Sequence, residues 1–182
     1  MEVNQLKKTI INISLIVTAI FIYILQANFF SWFHIAGIMP NVFIIFILFI
    51  GLFGEKAMGT IYGLIVGILL DFIIGTKVGM NSMAFGLIGF LAAIFDKNFS
   101  KDSRMTIMVM VIVATGIFES LTYIIKYIFL SNNIEMLNFV KILLIEMIYN
   151  TIITIIVYPL MQKFGYYIEN EYKGNKILTR YF

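Results

Sequence analysis

The chain has 182 residues, 61% of them hydrophobic and 13% charged, with a net charge of +3 and a mean hydropathy of +0.97. A soluble domain carries roughly 45–50% apolar and about 25% charged residues, and one of this length could not hide so much apolar surface. The composition therefore excludes a soluble globular domain, a disordered chain and a collagen-like repeat, and points to an integral membrane protein with almost no domain outside the lipid.

Crossing a bilayer as helix takes about 20 mostly apolar residues. Six stretches are predicted as spans: residues 9–30, 39–53 (opened by Pro40), 57–74, 80–95, 105–130 and 137–164. Helices are expected because backbone polar groups facing lipid need partners within their own segment. A membrane barrel would show alternation in segments of about 10 residues, and none is present. The second and fourth stretches are short for a span. The first begins behind Lys7 and Lys8 like a signal peptide, but it is too long for one and has no small-residue cleavage site, so a retained helix is expected. The organisation read from this pattern is a six-helix membrane domain over 1–165 and a short tail over 166–182.

Basic residues set the orientation. Ten of the thirteen Lys and Arg residues (Lys7, Lys8, Lys56, Lys97, Lys101, Arg104, Lys163, Lys173, Lys176 and Arg180) fall on one side of a six-helix arrangement, against Lys77, Lys126 and Lys141 near the other. By the positive-inside rule both termini are expected in the cytoplasm. The charge belongs to loops, so no nucleic-acid partner is implied. Phe29, Phe30, Trp32 and Phe33 suit the outer interface, and Tyr166 and Tyr167 the inner one. The chain lacks cysteine and has one histidine, His34, which excludes a thiolate nucleophile, a disulfide framework and a multi-histidine metal centre. There is no glycine-rich phosphate loop. His34 is read as an exposed loop residue.

Nine of the thirteen glycines lie between Gly51 and Gly89. Gly59, Gly63, Gly67, Asp71 and Gly75 recur at every fourth position, along one ridge of the third helix. Such a ridge lets another backbone approach closely. It serves either as an internal packing face or as a partner-binding face. Asp71 is costly inside a membrane segment and should face the bundle interior or find a donor. Two more acids, Glu119 and Glu146, fall within apolar stretches, and Glu146, Asn150 and Thr154 form a polar stripe on the sixth helix. Asp71, Glu119, Glu146 and Asn150 are expected to share one intramembrane polar cluster. It would either fix helix registry through hydrogen bonds or line a substrate or proton path.

The run from Pro40-Asn41 through Gly51-Leu52 and Gly59 to the segment YGLIVGILLDFIIGTKVGMNSMAFGLIGFLAAIF (62–95) resembles the rod shape-determining protein MreD family. Gly63, Gly67 and Asp71 stand in its G-x-x-x-G-x-x-x-D pattern, followed by Gly79, Ala84 and Gly89, while Asn150 and Pro159 match its C-terminal helix. The resemblance implies an all-α bundle of about six transmembrane helices, similar to the S component of energy-coupling-factor transporters. It implies a multi-pass protein of the bacterial cytoplasmic membrane that acts without catalysis in cell shape and peptidoglycan synthesis. Its expected partners are MreC and, through MreC, the MreB filament, RodA and the transpeptidase paired with RodA, with membrane lipid around the bundle. No catalytic residue, cofactor or metal is carried over.

Two other functions compete. A small-molecule-binding subunit of the S-component type would use the polar groups of helices 3, 5 and 6 as its pocket. Against it, the A-x-x-x-A docking face of the first helix is missing, since Tyr23 follows four residues after Ala19. A membrane hydrolase built on Asp71 or Glu119 lacks a nucleophile–base pair.

Overall fold

The computed structural model describes residues 2–55, 57–75, 77–130 and 135–174. Lys56, Lys176, Arg180 and the rest of the tail beyond residue 174 lie outside the described residues. The fold is all-helical, with no strand among the described residues. It consists of α1 (Glu2–Ile24), α2 (Val42–Phe53), α3 (Met58–Ile74), α4 (Met80–Asn98), α5 (Arg104–Leu130) and α6 (Met136–Lys173), and α1 runs on into a π-helical turn, Leu25–Phe29. Four helices, starting at Gln5, Met80, Arg104 and Met136, are long and apolar enough to cross a membrane, whereas α2 and α3 are shorter apolar helices.

The short α2 occupies the centre. It has 12 residues, about 18 Å of helix and too little for a hydrocarbon core of roughly 30 Å, and all but Val42 are buried. It packs against α4, α3, α6, α5 and α1 in turn. Because protein surrounds it, its unpaired backbone ends must be satisfied by protein. At its start the Asn41 N–H donates to Asn150 Oδ1 on α6 (2.9 Å). At its end the Leu52 carbonyl accepts from Lys101 Nζ (3.3 Å) and Lys173 Nζ (3.0 Å). One helix, α6, therefore grips both ends of α2.

Sequence and structure differ at several boundaries. The first helix starts at Glu2, before the apolar run, and the sixth continues past residue 164 to Lys173, straight through Pro159. The cause is tertiary. Lys7 Nζ pairs with Glu171 (2.8 Å), and the Tyr172 hydroxyl reaches Asn12 Oδ1 (2.8 Å), so the polar ends of α1 and α6 hold each other in helical form. Residues 166–173 of the expected tail are thus the last turns of α6. Lys7, Lys8 and Lys101 meet the final turns of α6 at one end of the bundle, where Lys173 of α6 pairs with Asp96. Lys77 lies at the opposite end, over the Phe129 ring. In the connection after α1, Trp32 is 84% exposed and Phe29 stacks on Phe33, which suits a membrane–water boundary.

Candidate functional site

The glycine ridge is an internal packing face. A Cβ added at Gly63 would lie 2.4 Å from the Phe85 carbonyl oxygen, and one at Gly67 would lie 2.3 Å from Ser82 Cα. Gly59 sits where three helices converge: its Cβ would be 2.5 Å from Gly51 Cα on α2 and 3.0 Å from the Gly89 carbonyl on α4. The backbone of α4 lies directly along α3, and no side chain fits between them. Gly75 has another role. It caps α3 with a left-handed backbone (φ 72°), and a Cβ there would meet nothing within 4 Å.

Asp71 ends the same ridge and is fully buried. Its Oδ2 accepts from the backbone N–H of Gly79 (2.8 Å) and of Ser82 (3.4 Å), and its Oδ1 accepts from the backbone N–H (3.0 Å) and side-chain amide (2.8 Å) of Asn81. These are the free donors at the start of α4, where an acceptor carboxyl is favoured by hydrogen bonding and by the helix dipole. Replacing Asp71 by Asn aims amide hydrogens at some of these donors. D71N is expected to lower stability by about 1–3 kcal/mol, read as a lower thermal midpoint of the detergent-purified protein. A midpoint equal to wild type would show that the cap is dispensable.

The expected four-residue polar cluster is corrected by the structure into two settings. Asp71 is engaged at the α3–α4 junction. Glu119, Glu146 and Asn150 instead meet between α5 and α6: Asn150 Nδ2 donates to Thr115 Oγ1 (3.0 Å), and the Glu146 carboxyl interacts with Glu119, Asn150 and, through space, Lys126. The separation has a simple origin. The donors of α4's first turn are only 8–11 residues beyond Asp71, and they outcompete distant helices. Glu146 Oε1 is buried without a hydrogen-bond partner.

Sequence reasoning missed two groups. One is a charge clamp: Lys101 Nζ bonds Asp96 Oδ1 (2.7 Å) and Glu169 Oε1 (2.6 Å), while Lys173 Nζ bonds Asp96 Oδ2 (2.7 Å). Lys101 also stands 4.8 Å from the Phe53 ring centre. The other is a cavity of about 320 Å³ at the opposite end, among α1, α2, α3 and α4, lined by Tyr23, Gln26, Asn41, Phe43, Leu70 and Asn81 among others. Gln26 lies in the π-helical turn, a local distortion that often marks a functional position. Gln26 Oε1 and Asn41 Oδ1 are both buried without a hydrogen-bond partner. Among the described residues no group of His, Asp or Glu is suited to hold a metal ion.

The rod shape-determining protein MreD family model matches residues 6–168, nearly the whole described bundle. The chain belongs to the MreD family. The family assigns it a role in determining rod shape, as a structural protein of the membrane. No curated protein and no solved structure matches the chain. The matched span takes in the ridge, the Asp71 cap, the charge clamp up to Ile168 and the carboxamide-lined cavity, but not Glu169 or Lys173.

Proposed function

We propose that this MreD-family chain is a non-catalytic scaffold of the cell-elongation machinery. It binds MreC within the membrane and, through MreC, is coupled to the MreB filament, RodA and its transpeptidase partner, supporting peptidoglycan synthesis. Both termini face the cytoplasm in this reading, so the cavity beside Gln26 and Asn41 opens toward the outer face.

The observation that carries the proposal is the pair of carboxamides, Gln26 and Asn41, that line that cavity while their oxygens, Gln26 Oε1 and Asn41 Oδ1, are buried without a hydrogen-bond partner. A buried acceptor without a donor costs about 1–3 kcal/mol, and such a cost is retained at sites where a partner supplies the donor. The backbone N–H groups of a partner segment entering the cavity would do so once the two carboxamides turn toward it. The glycine ridge is already occupied by α4, so this cavity is the better place for MreC than the ridge.

The test exploits a sign difference. Gln26→Leu and Asn41→Leu remove an unsatisfied acceptor at similar volume, so they are expected to leave the thermal midpoint unchanged or raised. The same variants are expected to recover about tenfold less MreC on co-purification from membranes, as the loss of one or two buried hydrogen bonds predicts. Full MreC recovery with both variants would remove the cavity from the interface.

A second reading draws on the cavity's volume, which lies at the low end of the range for ligand pockets. In an S-component-like binder the same two acceptors would hold a small hydrogen-bond donor. Native mass spectrometry separates the readings: a stoichiometric small molecule on the purified chain favours the binder, and its absence together with MreC loss in the leucine variants favours the scaffold.

A further inference from the structure

A cavity of about 830 Å³ lies at the other end of the bundle, between the start of α1, the α2–α3 turn, the last turns of α4 and the end of α6. Its walls are of two kinds. Met58, Ile61, Ala57 and Ala93 are apolar, while Asn12, Tyr62, Glu55 and Lys97 are polar or charged. Ile61 is 51% exposed on the outer face of α3, so the cavity borders the zone where acyl chains run.

Few contacts join α1 to α3 beside it. The main contacts of α1 are with α6 and α2 rather than α3. The gap between α1 and α3 is bridged by Tyr62, whose hydroxyl donates to Asn12 Oδ1 (3.2 Å). Asn12 Oδ1 also accepts from the Tyr172 hydroxyl (2.8 Å), which leaves the Asn12 amide hydrogens available to a ligand.

The charges around the cavity are unevenly used. Asp96 and Lys173, on its wall, are paired in the clamp. Lys97 and Glu55 line the same space, and neither forms an ion pair among the described residues. A cavity that borders apolar surface on one side and polar groups on the other, with a cation and an anion in no ion pair among the described residues, is complementary to an amphiphile whose headgroup carries both charges.

We propose that this cavity binds an aminophospholipid of the leaflet at that end, with its phosphate on Lys97 and the Asn12 amide, its primary ammonium on Glu55, and its acyl chains leaving through the α1–α3 gap. A headgroup with a net negative charge and no amine places nothing favourable beside Glu55. A quaternary ammonium has no N–H to donate to the carboxyl. The proposal stands apart from the MreC reading, because it uses the opposite end of the bundle and none of the same residues.

The experiment is native mass spectrometry of the full chain in detergent, offered equal amounts of synthetic phosphatidylethanolamine, phosphatidylglycerol and phosphatidylcholine with the same acyl chains. Phosphatidylethanolamine is expected to be retained about threefold to tenfold more than either competitor, the range of one or two partly exposed charge-assisted contacts. Lys97→Gln is expected to abolish that retention and Lys97→Arg to keep it. Glu55→Gln is expected to make phosphatidylethanolamine and phosphatidylglycerol equal. Lys77→Gln, at the far end, is expected to bind as wild type does. Equal retention of the three lipids by the wild-type chain overturns the proposal. So does a loss in Lys77→Gln as large as that in Lys97→Gln, or unchanged selectivity in Glu55→Gln.

Discussion

Replacing Gly63 with alanine is expected to destabilise the bundle more than any single change to its lipid-facing surface. The added methyl group would stand 2.4 Å from the Phe85 carbonyl oxygen and 2.7 Å from its carbonyl carbon. Those atoms belong to the backbone of α4, so relief requires α3 and α4 to move apart as rigid rods. Overpacking a core costs about 1–3 kcal/mol where side chains can adjust, and here backbone has to yield, so the cost is expected at the top of that range or beyond it. Gly63→Leu is expected to prevent assembly. The matched control is Gly75→Ala, where the new methyl group meets nothing and the strain comes only from φ 72°, a penalty of about 1 kcal/mol. Ile65→Ala, at a half-exposed position on the outer face of α3, is expected to change little. The check is the thermal midpoint of the three variants in one detergent, together with rescue of rod shape in cells lacking the native protein. If Gly63→Ala melted with Ile65→Ala, the α3–α4 contact would not be as close as described.

The ridge was legible before its partner was. Small residues at every fourth position announce close helix approach, because only that spacing keeps them on one face. The sequence does not tell whether the approaching backbone belongs to the same chain. The deciding feature is the short link from Ile74 to Met80, which folds α4 straight back onto α3, and Asp71 fixes the return by capping α4. The long apolar runs gave α5 and the body of α6 and α1, because a continuous span is set by composition alone. The short α2 was harder to place. Its strongly apolar run looks like a marginal span, whereas it is a central strut that other helices enclose. Its end caps, Asn150 and Lys173, lie 109 and 121 residues from Asn41 and Leu52, distances over which no local pattern carries information. The basic residues expected on the cytoplasmic side are legible in the sequence only as a sign bias, which conceals the pairing of Asp96 and Glu169 with Lys101 and Lys173. Gln26 and Asn41 stand near predicted helix ends, but that they line one cavity emerges only when α1 and α2 are packed.

The charge clamp leads to the other large expected effect. Asp96 gives one carboxyl oxygen to Lys101 and the other to Lys173, and both lysines also hold the Leu52 carbonyl at the end of α2. The Lys101 side chain is only 7% exposed. Asp96→Ala therefore leaves two neighbouring ammonium groups with Glu169 as their remaining anion. Removing one partner of a buried pair costs about 3–5 kcal/mol, chiefly from the charge left unpaired. Asp96→Ala is expected to approach that range. Pairing it with Lys173→Met restores a one-to-one balance of Lys101 with Glu169 while retaining most of the lysine's apolar stem. The double variant is therefore expected to be more stable than Asp96→Ala alone, a reversal that independent sites would not give. Lys7→Ala, which breaks a pair whose lysine is 44% exposed, is expected to cost at most about 1 kcal/mol. Thermal midpoints at low and high salt check all three. The exposed Lys7–Glu171 contribution should fade with added salt, and the Asp96 effect should persist because ions do not reach it. If Asp96→Ala were as mild as Lys7→Ala, or if Lys173→Met worsened it, the clamp would not be what ties α6 to the end of α2.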